Sequence, residues 1–340
     1  MDSNRFVDEV TINSLRKSLK QYAVPNDRRA VWQLANTLIP YIALWIILVY
    51  MIRNGFALIL TLPFIIAAAF FLVRIFIFCH DCVHGSFFTS PRANKIIGYV
   101  TGIMAFTPFS YWQHDHLIHH GTYADLDHRG VGDISTLTVE EYRALSRTKR
   151  LAYRLYRNPF VFLGIGPSYT FLLAQRLPHK RGGKSERLSA MITNLALLGI
   201  MLMASLTMGL GTYLLIQVPI MLIAGAMGIW LFYVQHQFEG VYWARHENWD
   251  PVKAALLGCS YYKLPKLLQW LTGNIGLHHV HHVLPRIPNY HLQQSLDASP
   301  VMQTVRPLTL RESFKSVWLN LWDEKQQKLV SFRSLKELGH

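Results

Sequence analysis

The sequence is poor in cysteine, in acidic residues and in charge of any kind. Its three cysteines (Cys79, Cys82 and Cys259) cannot build a disulfide framework, and the CxxC spacing of the first two has no second pair to complete a zinc site. Buried thiols are the expected state. Only 16% of the 340 residues are charged and 51% are apolar, which argues against an ordinary soluble enzyme. There is no glycine-rich dinucleotide fingerprint, no repeat of fixed period and no low-complexity linker. The first 30 residues are polar and include "RKSLK" and "NDRR", so no cleavable signal sequence is expected. Lys and Arg number 34 against 20 Asp and Glu, a net charge of +14. No nucleic-acid recognition motif accompanies that excess, which points instead to anionic lipid and to an acidic protein partner.

What the sequence has in quantity is long apolar runs. Four of them, 34–52, 56–78, 188–208 and 212–234, reach the roughly 20 residues a bilayer span needs. A tight "RNG" at 53–55 joins the first two and "GLG" at 209–211 the last two, predicting two helical hairpins. The weaker segments 96–109 and 159–175 are shorter or broken, the second by Gly164, Gly166 and Pro167. The second is expected to lie in the interface or to dip in and return, and neither to cross. With both hairpins pointing outward, segments 1–33, 79–187 and 235–340 share one side and carry 6, 14 and 12 Lys plus Arg, 32 of the 34. The positive-inside rule places that side in the cytoplasm. Arg53 falls in an outer turn, and Arg74, in the last turn or so of the second run, is expected to reach back to the headgroups. The organisation expected is one all-α integral membrane domain over 1–340. A cytosolic N-terminal segment (1–33), a first transmembrane hairpin (34–78), a cytosolic region (79–187), a second hairpin (188–234) and a final cytosolic region (235–340) follow one another.

The sixteen histidines are unevenly placed. "HDCVH" sets His80 and His84 at i and i+4 on one helical face, and "HDHLIHH" adds His116, His119 and His120 at i, i+3 and i+4. "LHHVHH" repeats that spacing in His278, His281 and His282, and His236 stands at the mouth of the fourth run. A lone HxxxH on a helix is commonplace. Two HxxHH boxes and an HxxxH, all just beyond the apolar runs on one expected side, form a ligand set. Neutral imidazole binds zinc, copper, iron and nickel. Eight or nine such ligands are too many for one ion and suit two adjacent ones. Structural zinc is four-coordinate and usually takes cysteine, so iron with open coordination positions fits better. A redox metal at a membrane surface implies oxygen chemistry on an apolar substrate. His114 lies about 200° round the helix from His116 and reads as outer-layer or solvated. His279 is ambiguous, and His128, His179, His246, His291 and His340 read as surface or polar-network residues. A metal transporter or store would carry ligands along a path inside the spans; the four runs contain no histidine, and Arg74 is their one charged residue.

Through "HDCVHGSFF", "HDHLIHHGTYADLDHRGVGDI", "QHQFEGVYW", "GNIGLHHVHHVLPRIPNYHL" and "LTLRESFKSVWLNLWDE", the chain resembles the membrane fatty acid desaturase family, and most its bacterial acyl-lipid branch. The likeness runs in order and spacing over nearly the whole chain. Val83 stands where the family usually has glycine, and His114 adds an imidazole; neither removes a ligand. The resemblance implies a four-span protein of the bacterial cell membrane, with both termini and a helical cap in the cytoplasm. It implies two irons in that cap, O2 as co-substrate, and as ligands His80, His84, His116, His119, His120, His236, His278, His281 and His282, with no catalytic residue beyond them.

Asp81 and Asp115 adjoin ligands and could orient imidazoles or be plain helix-surface carboxylates. Asn274 could hold a metal-bound water or cap a helix. Tyr111, Trp112, Trp230, Tyr233, Tyr242 and Trp243 gather beside the boxes, as the lining of an acyl channel or as interfacial anchors. The reaction implied is O2-dependent removal of two hydrogens from the acyl chain of a membrane lipid, leaving a double bond. The alternative is a related di-iron hydroxylase or ketolase that inserts oxygen. Without a dinucleotide motif or an "HPGG" haem motif, electrons are expected from a separate carrier, ferredoxin or cytochrome b5, docked on the basic face.

Overall fold

The computed structural model describes residues 11–177 and 182–336, so His179 and His340 fall outside the described residues. The chain is mostly helical. A short helix α1 (Ile12–Leu19) precedes α2 (Asp27–Arg53) and α3 (Leu58–Val83). Next come α4 (Pro91–Met104), α5 (Phe109–Thr122) and α6 (Arg147–Tyr156), and then α7 (Lys184–Thr207) and α8 (Leu210–His236). Near the end lie α9 (Pro251–Leu257) and α10 (His278–Val283). Helices α2, α3, α7 and α8 are long and apolar enough to cross a membrane. At 1.5 Å per residue, 24–27 residues reach about 36–40 Å, more than the roughly 30 Å of a hydrocarbon core. Helices α2, α7 and α8 begin before their apolar runs, α3 begins two residues into its own, and α3 and α8 continue past theirs, so His80 and His236 ride on the last turns of α3 and α8.

Helix α3 is the central element, packed by α2, α4 and α8. Leu48, Ala68, Ala69, Leu72, Ile75, Ile216 and Ile220 fill the shared core, and the alanines let the backbones approach. Ile39, Ile46, Ile59 and Leu206 stay exposed on the outer faces, where a lipid solvent would accept them.

Arg74 departs from expectation. It does not reach outward: its side chain is buried, with Nε donating to Thr37 Oγ1 at 2.9 Å and Nη1 to the Trp270 carbonyl. The guanidinium also lies 4.1 Å from the Trp270 ring centroid. An interior partner became available because the chain around residue 270 packs against α3, which sequence spacing could not foretell.

The interrupted segment at 159–175 winds as a helix with π turns at Val161–Ile165 and Tyr169–Leu173 and a 3-10 turn at Ala174–Arg176. It lies against α8 at Gly225, where a Cβ would come within 2.9 Å of Pro167 Cβ. The all-helical expectation also needs amending, for five strands of two or three residues occur among the described residues. β1 (Leu137–Thr138), β4 (Leu321–Asp323) and β5 (Lys328–Val330) form one sheet, and β2 (Tyr261–Lys263) pairs in parallel with β3 (Pro307–Thr309). Strands this short carry no period-2 pattern to detect. The β1–β4 pairing ties the C-terminal end to a segment far back in the chain.

Candidate metal centre

Two short elements, α5 and α10, meet the ends of α3 and α8. Helix α5 is anchored by Gln113, whose Nε2 donates to the Val83 carbonyl at 3.0 Å. Helix α10 is seated on α1, with Leu15, Leu19, Val280 and Val283 buried in one cluster and Arg16 Nε donating to the Val283 carbonyl at 3.0 Å. The approach to α10 depends on a tight crossing: the Tyr262 N–H donates to Gly276 O at 2.7 Å, and a Cβ on Gly276 would lie 2.4 Å from the Tyr262 carbonyl oxygen. Side chains from α3, α5, α8 and α10 then converge.

The nine predicted ligands come together in two adjoining groups. One is His80, His84, His116, His120 and His281; the other is His119, His236, His278 and His282. In the first, Nε2 to Nε2 separations are 3.0 Å for His84 and His116, 3.1 Å for His116 and His120, and 3.1 Å for His120 and His281. In the second they are 3.1 Å for His119 and His236, 2.9 Å for His236 and His278, and 3.0 Å for His278 and His282. The groups abut, the His120 and His282 rings stacking with centroids 4.1 Å apart.

A neutral imidazole has one N–H, so nitrogens meeting in threes cannot all be hydrogen-bonded to each other. A cation resolves the conflict. Ligands about 2.1 Å from one ion and about 90° apart are separated by about 3.0 Å, whereas tetrahedral ligands would stand about 3.4 Å apart. The observed spacings match the wider-coordination case. Burial first, and then the neighbouring imidazoles, hold His116, His120, His278, His281 and His282 well below the ordinary histidine range. They are therefore neutral, the form that binds metal. His80 Nε2 is buried with no hydrogen-bond partner among the described residues, while its Nδ1 is 3.2 Å from Asp81 Oδ1.

Asp81 is itself held, its Oδ2 accepting from the Asn289 backbone N–H at 2.7 Å and from Asn289 Nδ2 at 2.8 Å. This is the arrangement that fixes a ligand's tautomer and ring plane. A second carboxylate of this kind went unassigned in the sequence. Asp133 Oδ1 is bonded to His119 Nδ1, and its Oδ2 accepts from the Gly130 N–H at 3.3 Å. Its signal was an acid inside the quoted "HRGVGDI" loop, where no periodicity links it to a box. Asp133→Asn is expected to weaken metal retention about 10–100-fold, read by challenge with a chelator. Retention equal to the parent's would remove Asp133 from that role.

The remaining expected site residues are dispersed. Asn274 sits in a left-handed turn (φ 56°), its Nδ2 donating to Asn289 O at 3.0 Å and its carbonyl accepting from the Leu277 N–H at 2.9 Å. His114 is half exposed, 3.9 Å from Glu186, and His279 is buried. An apolar cavity of about 340 Å³ opens beside His116, within the size range of small-molecule sites. Tyr111, Trp112 and Asp115 line it together with Leu72, Phe76, Phe171, Met221, Gly228 and Phe232. Trp230, Tyr233, Tyr242 and Trp243 are not in that lining. Trp230 stacks on Phe314, and the Tyr242 hydroxyl donates to Asn248 O at 2.9 Å. Tyr233 is tied by its hydroxyl to Arg157 (3.0 Å) and Ser316 O (2.7 Å). Tyr233 and Trp243 border a separate void beside His119 and His236 of about 20 Å³, room for about one water.

The family pattern of fatty acid desaturases matches residues 54–299. A fatty acid desaturase of Bacillus subtilis (strain 168) is 47% identical over 324 residues, 95% of this chain and 92% of the relative. An endoplasmic-reticulum omega-3 fatty acid desaturase of Vigna radiata var. radiata is 27% identical over 266 residues, covering 71% of this chain and 64% of the relative. An sn-1 acyl-lipid omega-3 desaturase (ferredoxin) of Nostoc sp. (strain 36) is 27% identical over 267 residues, 73% of this chain and 69% of the relative.

Proposed function

The chain belongs to the fatty acid desaturase family, and from that premise we propose that it uses O2 to desaturate the acyl chains of membrane lipids at a centre of two irons. The supporting observation is the junction of two imidazole groups, five and four strong, with one apolar cavity at His116. When bound, the irons supply the reduction of O2 and the removal of two hydrogens from unactivated carbons, which no side chain can accomplish. His80, His84, His116, His120 and His281 would hold one ion and His119, His236, His278 and His282 the other.

The chain's own residues do the rest. Asp81 and Asp133 keep a proton on Nδ1 of His80 and His119, leaving each Nε2 lone pair toward the centre. Trp112, its ring stacked on His116 with centroids 4.2 Å apart, closes the cavity at the metal end. Leu72, Phe76, Phe171 and Phe232 exclude water and guide an alkyl chain past that end. Neighbouring carbons are thereby presented side by side, the arrangement that abstraction of two hydrogens requires.

Topology follows the same reading: one domain in which α2–α3 and α7–α8 form two transmembrane hairpins, with the metal end and both termini in the cytoplasm of a bacterial cell. Electrons come from a separate carrier. The Nostoc relative's name specifies ferredoxin, and an acidic protein of that kind suits the basic cytosolic side.

Expression in a host without polyunsaturated lipids, with double bonds mapped by mass spectrometry, tests the reaction. New lipids lighter by two hydrogens, their double bonds at one position, are expected. Lipids gaining oxygen would identify a hydroxylase or ketolase instead.

A further inference from the structure

Two histidines outside the centre, His128 and His246, meet edge to face over a single carboxylate, their ring centroids 4.4 Å apart. Asp125 Oδ2 lies 2.8 Å from His128 Nδ1 and 2.7 Å from His246 Nδ1. Its Oδ1 accepts from the Asp127 N–H at 3.0 Å. The Asp125 side chain is 5% exposed, while the imidazoles are 51% and 64% exposed. All three potential ligand atoms lie within 4.8 Å of one another. We propose that Asp125, His128 and His246 bind a divalent ion of the zinc class, separate from the nine-histidine centre, which pins the loop after α5 to the turn at 244–248.

The donor set is two imidazoles and a carboxylate, which suits borderline divalent ions. Without an ion, both rings carry their proton on Nδ1 to reach the same oxygen. Because the rings are exposed, each proton can move to Nε2 and find water there. Two Nδ1 lone pairs and an anionic oxygen then face one point, and the open side admits the waters that complete the coordination. Burial raises the Asp125 carboxyl, but the hydrogen bonds from His128, His246 and the Asp127 N–H outweigh it and leave the group below the usual carboxylate range. It is ionised at neutral pH.

The surroundings favour a dication. Asp127 Oδ1 engages Arg245 at 2.6 Å, and Arg245 also binds Glu324 at 2.8 Å. That network sets three carboxylates, counting Asp125, against one guanidinium. The position has structural meaning too. Asp125 lies just beyond His119 and His120 and just before Asp133, and its neighbours bond to the other strand of the cluster: Ala244 N–H donates to Ala124 O at 3.0 Å, and Leu126 N–H to Ala244 O at 2.9 Å.

The test uses the full-length, iron-loaded protein dialysed against zinc, with metals counted per chain. The parent is expected to retain about one zinc more than the His128→Ala/His246→Ala double variant, at equal iron content, and Asp125→Asn to bind zinc about 10-fold or more weakly. Variants that keep their iron and bind zinc as the parent does would overturn the proposal. If the double variant loses iron, the parent alone decides. Zinc should protect His128 and His246 from acylation by diethylpyrocarbonate, mapped by peptide mass spectrometry, and labelling unchanged by zinc would equally overturn it.

Discussion

Replacing His281 by alanine is expected to abolish double-bond formation and to leave about one iron per chain where the parent holds about two. His281 belongs to the group of five, its Nε2 3.1 Å from His120 Nε2 and its ring 4.5 Å from that of His80. It takes no part in the group of four. On the proposed assignment its removal would open one ion's shell and leave the other intact, so a partial loss of metal should accompany a complete loss of turnover. His114→Ala is the matched control. That imidazole is half exposed, 3.9 Å from Glu186, and should leave iron and activity unchanged. Iron analysis with lipid mass spectrometry reads both, and a His281→Ala protein with parental turnover would refute the ligand assignment.

The second large effect is expected at Gly228. Met221, Ala224, Gly225, Gly228, Ile229 and Phe232 recur at helical spacing along one face of α8 and line the cavity. A Cβ at Gly228 meets nothing within 4 Å, so leucine there can enter the cavity without disturbing the helix. Gly228→Leu should lower turnover of long-chain lipids about 10–100-fold, with iron content and melting temperature unchanged. Gly225→Leu should behave differently. Its Cβ would press on Pro167 and Phe171, so it should destabilise the fold. Parental rates and product positions in Gly228→Leu would show that acyl chains do not occupy this cavity.

Much of this organisation could be read in the sequence, and the reasons are physical. Four apolar runs declare four helices because nothing else satisfies so long a backbone without polar side chains. The histidine boxes declare themselves by spacing. How the boxes divide was not legible. His116 and His120, four apart, join one group, while His119, about 60° round the helix from His116 on the side away from His120, turns to the other. Likewise His278 and His282 share a group that excludes His281. Successive residues differ by about 100° around a helix, so one box can serve two ions, but which member faces which ion depends on where the neighbouring helices stand. Asp133 was missed because a loop residue has no period. Whether Trp230 and Tyr242 line a channel or anchor at the interface was equally illegible, since proximity in sequence to a box says nothing about which way a ring points; both stand outside the lining of the cavity.

The interior tie of Arg74 has a consequence for the order in which the protein is made. Its hydrogen-bond partners are Thr37, 37 residues earlier, and the carbonyl of Trp270, 196 residues later. While the ribosome is still adding those intervening residues, a guanidinium in an otherwise apolar helix has only half its final company. The last partner of that buried charge thus arrives with a stretch synthesised late, so the first helix pair gains its full set of polar contacts only once residue 270 is in place.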